Sequence, residues 1–93
     1  MTYLLKDPDA TLDYAVDWGT DYLVGDVLQS SAWSVTPVEP GGAAIVSSIS
    51  DELIATVTVS GGLAGRIYRL INQIVTASGR VDSRSIVLRV EKR

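Results

Sequence analysis

From Leu12 onward the chain is cut into short runs in which apolar and polar residues alternate, each run closed by glycine, proline or an acidic pair. In the first run Leu12, Tyr14, Val16 and Trp18 point one way and Asp13 and Asp17 the other, the period-two pattern of a half-buried strand. Comparable runs cover 27–35, 44–49, 53–59, 66–76 and 83–90, about one every ten residues and none with a helical period. Pro37, Pro40, Gly41 and Gly42 end the second run, and Asp51-Glu52 divides the third from the fourth. Ser60-Gly61-Gly62-Leu63-Ala64-Gly65 is the next loop, and Ser78-Gly79-Arg80 makes a hairpin-like turn. Helices are excluded by this spacing.

Strands of this length and spacing predict an all-β, immunoglobulin-like sandwich of about six to seven strands. The seventh would come from Tyr3-Leu4-Leu5, although Lys6-Asp7-Pro8-Asp9 breaks regular structure and residues 1–10 read as an N-terminal arm to a domain at 11–93. Between Gly19 and Gly25, Tyr22-Leu23-Val24 is expected to cap one end of the core. The 93 residues are enough for one domain, with roughly 64% of the unfolded surface buried. Phe is absent and the 46% hydrophobic content is mostly Val, Ile, Leu and Ala, a composition suited to sheets.

Chemistry is hard to place on this chain. With no His and no Cys, the commonest general base and the thiol nucleophile are both missing, and the only lysines, Lys6 and Lys92, lie near the chain ends. No enzymatic activity and no cofactor are expected. Asp7, Asp9 and Asp13 have the wrong spacing for a calcium loop, so no metal is expected. Gly61-Gly62 and Gly65 lead into a strand without the Lys-Ser/Thr of a phosphate loop. The absence of Cys fits synthesis in a reducing cytoplasm. No basic segment leads an apolar run at the start, so neither a signal peptide nor membrane association is expected.

Charge is segregated along the chain. Residues 1–65 carry −8, with Lys6 their sole base, and residues 66–93 carry +5. The acidic majority argues against nucleic acid, and the two poles suit docking on a second copy or another protein as well as pairing within the monomer. The run 66–76 adds a second feature. If Tyr68, Leu70, Asn72 and Ile74 face the core, then Ile71 and Val75 face outward, an apolar patch without a purpose in a free monomer. Asn72 would be a hydrogen-bonded core residue, and Trp18 and Trp33 would face the core.

Several segments together resemble a known family. They are Lys6-Asp7-Pro8-Asp9-Ala10-Thr11-Leu12-Asp13-Tyr14 with Asp17-Trp18, Ser31-Ala32-Trp33-Ser34-Val35, Ser60 to Gly65 and Tyr68-Arg69. Asn72, Thr76, Gly79 to Ser85 and Leu88-Arg89-Val90 close the pattern, which resembles the small bacteriophage fiber-tail adaptor proteins along almost the whole chain. The resemblance implies a virion structural protein of the tail or baseplate, made in the host cytoplasm, that joins a fiber or spike to the tail by protein–protein contacts. It implies several copies in a symmetric assembly and no catalytic residues. A carbohydrate-binding surface module, with Tyr22 or a Trp stacking on sugar, and a neck or connector protein remain as alternatives. The partner-binding candidates are Lys6, Asp7 and Asp9 in the arm, Ile71 and Val75 on the long run, and Arg80, Arg84, Lys92 and Arg93.

Overall fold

The structure, a computed structural model, describes residues 2–19, 23 and 25–92. Seven strands follow in order: β1 (Thr2–Lys6), β2 (Leu12–Asp17), β3 (Leu28–Thr36), β4 (Ala44–Ser50), β5 (Ile54–Ser60), β6 (Ile67–Thr76) and β7 (Val81–Val90). They form two sheets, β1-β7-β6-β3 and β2-β5-β4. Among the described residues there is no helix. The fold is the expected immunoglobulin-like sandwich.

Alternation decides which side chains fill the space between the sheets. Trp18, Val57, Val59, Tyr68, Leu70, Ile74, Leu88 and Val90 are fully buried there, with Trp33, Val35 and Ile45 packed against them. Leu23 is buried as the expected cap, while Tyr22 and Val24 lie outside the described residues. Asn72 is the polar centre of this core. It accepts from Trp18 Nε1 at 2.9 Å and donates to Ser31 Oγ at 2.8 Å and Ala32 O at 3.2 Å. Tyr68 Oη accepts the Leu63 N–H at 3.1 Å and donates to Glu39 Oε1 at 2.5 Å. A tyrosine at the start of a late strand, bonded to backbone a few residues upstream, is the tyrosine corner of such sandwiches.

The first ten residues are not a projecting arm. β1 pairs in parallel with the second half of β7, from Thr2 opposite Ile86 to Lys6 opposite Val90. Only after Lys6 does the chain turn, where Pro8 was expected to break it. Lys6 is fully buried, and its Nζ donates to Asp7 O at 2.9 Å, Gly61 O at 2.7 Å and Ala10 O. An ammonium has three donors, so these carbonyls satisfy it and tie the β1–β2 connection to the loop after β5. Burial lowers the Lys6 pKa, and Asp7 and Asp9 oppose that shift.

The two flanks of the sandwich differ. On one flank β3 packs beside β4. On the other, β2 stands apart from β7 and β1, and a groove of about 620 Å³ opens between them. Leu12 was expected in the core, but it begins this outlying edge strand and stays exposed.

Candidate protein-docking surface

Burial of Tyr68, Leu70, Asn72 and Ile74 forces Ile67, Arg69, Ile71, Gln73 and Val75 to the outer face of β6. Pairing extends this face across the sheet. Ile71 sits between Ser34 of β3 and Ser85 of β7, and Val75 between Ser30 and Val81. Arg69 is opposite Val87, and Arg89 lies between Ile67 and Leu5. The result is an apolar band broken by Arg69, Gln73 and Arg89, in which Leu5 is 50% exposed, Ile67 55% and Val81 60%, while Ile71 and Val75 are half-buried. The serines beside Ile71 are too short to cover it. Charge on this face comes from Arg69 and from Arg89, which pairs with Glu91 at 2.7 Å. Among the described residues Arg69 has no carboxylate partner. The face is apolar and mildly basic.

Ile71 and Val75 therefore share the outer face with Gln73 between them, and Leu5, Ile67 and Val81 add exposed apolar side chains to it. The sequence held a signal for these additions. A tight turn at Gly79 fixes the β6–β7 register and sets Val81 opposite Val75 and Ser85 opposite Ile71.

The charged candidates are distributed differently. Lys6 is buried and presents nothing to a partner. Asp7 accepts the Asp9 N–H through Oδ1 at 2.8 Å, and Asp9 forms an exposed ion pair with Lys92. Arg80 pairs with Asp26 at 3.0 Å, inside a cluster in which Ser78 Oγ donates to the same carboxylate at 2.6 Å. This Ser78 bond, with further bonds from Thr76, Arg80 and the Val27 N–H, holds the Asp26 carboxyl well below the usual carboxylate range. Arg84 lies over the Trp18 ring, 4.5 Å from its centroid, and reaches Asp17 O at 3.5 Å. Arg93 lies outside the described residues. The charge poles of the sequence thus meet within the molecule: Asp9–Lys92, Asp26–Arg80 and Glu39–Arg66 each join an early acid to a late base.

Among the described residues no group of three or more His, Cys, Asp or Glu side chains converges. Sugar stacking needs an exposed ring, yet Tyr14, Trp18 and Tyr68 are buried and Trp33 is half-buried against the core. Tyr22 lies outside the described residues.

No curated protein matches the chain. Among solved structures, the PKD domain from the KIAA 1837 protein, determined in solution, is similar over 99% of this chain and 80% of that chain. Its TM-score is 0.56 at 18% identity, a likeness of fold. The family model described as podophage GP4 fiber-tail adaptor protein gp77 matches residues 6–89, from the buried lysine of β1 to the penultimate residue of β7. This chain belongs to the podophage fiber-tail adaptor family.

Proposed function

We propose that the protein is a non-enzymatic adaptor that holds a fiber or spike to the phage tail through protein–protein contacts. It would be present in as many copies as the symmetry of the tail requires. The observation that carries this reading is the outer face of the β1-β7-β6-β3 sheet, where Leu5, Ile67, Ile71, Val75 and Val81 form an apolar band interrupted by Arg69, Gln73 and Arg89. Such a band costs solubility in a free monomer and stabilises a complex when covered. The nearby arginines Arg69 and Arg89 would steer an acidic partner and make assembly weaker at high salt. Nucleic acid and membrane are not among the partners of this reading.

Light scattering on the purified protein, alone and mixed with the tail and fiber proteins of its own phage, tests it. A defined, salt-sensitive complex is expected with one of them. Ile71→Glu is expected to abolish that complex while leaving the thermal midpoint nearly unchanged, because Ile71 lies outside the core. No complex with any of these proteins, even at low salt, would overturn the proposal.

A further inference from the structure

The open flank of the sandwich has the features of a second binding site. Its groove is floored by Leu4, Tyr14, Val16 and Ile86 and rimmed by β2 on one side and Ser83–Ser85 on the other. β2 is the outermost strand of its sheet, so among the described residues no strand pairs with one of its edges. Which residues face that edge follows from one hydrogen bond. The Trp18 N–H donates to Leu53 O on the β5 side, and amide groups alternate in an antiparallel pair, so Asp13, Ala15 and Asp17 turn theirs outward. The position of Arg84 agrees, since its guanidinium meets the outward-facing Asp17 carbonyl.

Two polar groups in the groove are left incomplete. Tyr14 is nine-tenths buried, and its Oη, enclosed beneath the floor, has no hydrogen-bond partner among the described residues. Desolvation also raises its pKa, which keeps the phenol a neutral donor. Arg84 has no carboxylate partner among the described residues and rests on the Trp18 ring and one long carbonyl contact. Buried donors without acceptors are uncommon in native domains, and a cation beside an apolar trough favours an acidic ligand.

We infer that the groove receives an extended segment of a partner tail or fiber protein, which adds as a strand along the free edge of β2. The segment has apolar side chains at alternate positions, which fill the floor, and a carboxylate that meets Arg84. β2 offers six residues, or roughly 20 Å of edge, and backbone pairing along it supplies affinity while the floor selects side chains. This inference rests on the adaptor reading and deepens it. A linker between two structures needs two separate surfaces, and the groove is distinct from the outer face that carries Ile71.

The test uses the full chain and overlapping synthetic peptides covering the tail and fiber proteins of the same phage, followed by amide hydrogen exchange on the complex. The amides of Asp13, Ala15 and Asp17 are expected to slow at least tenfold on binding, while those of Tyr14 and Val16 change little. Ala15→Pro removes an N–H that β5 does not use and should weaken peptide binding more than tenfold with the fold retained. Arg84→Glu should weaken it as well. A complex that forms while Ala15 and Asp17 exchange as in the free protein overturns the inference even if Ala15→Pro fails to fold. In that event a loss of binding in Ile71→Glu still upholds the adaptor reading. If the wild-type chain binds none of the tail or fiber proteins or their peptides, both fall together.

Discussion

Replacing Asn72 by leucine tests whether the polar centre of the core is held as described. The substitution keeps the number and branching of side-chain heavy atoms and deletes three hydrogen bonds: one from Trp18 Nε1 and two donated to Ser31 Oγ and Ala32 O. Each bond contributes about 1 kcal/mol net, and the fully buried Trp18 N–H cannot turn to water, so its loss lies toward the upper end of the ~1–3 kcal/mol range. The apolar side chain recovers roughly 1–2 kcal/mol through burial. The expected net loss is about 2–3 kcal/mol, a large part of the roughly 5–14 kcal/mol available to a chain of this size. Urea unfolding followed by Trp fluorescence should show the midpoint falling by roughly 1–2 M. Adding Trp18→Phe removes the orphaned donor, so the double variant should lose less than the sum of the two singles, with a coupling of about 1 kcal/mol. A midpoint for Asn72→Leu within about 0.3 M of wild type, or strict additivity in the cycle, would refute the argument.

Other perturbations follow from the same structure. Tyr68→Phe leaves the Leu63 N–H and Glu39 without their shared hydroxyl and should cost about 1–2 kcal/mol, read as a lower denaturation midpoint. Gly62 has φ +109° and a Cβ there would sit 2.7 Å from Val90 Cγ2, so Gly62→Ala should cost about 2–4 kcal/mol; a variant as stable as wild type would show that this loop is free to move. Asp26 and Asp51 both have lowered pKa values, Asp26 chiefly through the Ser78 hydroxyl and Asp51 through the Leu53 and Ile54 N–H groups. A depressed carboxylate stabilises the fold at pH above its unfolded value, near 3.9, and that contribution is lost as pH falls through the folded value. The thermal midpoint should therefore decline below about pH 4, and Asp26→Asn should flatten the decline; an unchanged slope in that variant would sink the assignment.

Much of this molecule was legible from local pattern. Alternation in the runs at Leu12, Leu53 and Arg66 placed the strands to within a residue or two, because the strand period is a property of the backbone. β6 is apolar on both faces, so its pattern left the parity open, and the packing put Asn72 inside and Ile71 and Val75 outside. The charged candidates were a different matter. Lys6 read as a surface cation in an arm, yet three carbonyls brought together by β1, the following turn and the loop after β5 enclose it. Ion pairs such as Asp9–Lys92 and Asp26–Arg80 join residues more than fifty positions apart, and no local pattern encodes that distance.

The sequence by itself therefore determined the class of fold, the approximate bounds of the strands, and the family. Each depends on the order of neighbouring side chains. Only the tertiary structure decided which edges stay open and which charges cancel. The parallel pairing of β1 with the second half of β7, together with the separation of β2 from both, creates the groove and leaves Arg84 over Trp18. These are relations between segments distant in the chain, set by how two sheets close on one flank and part on the other.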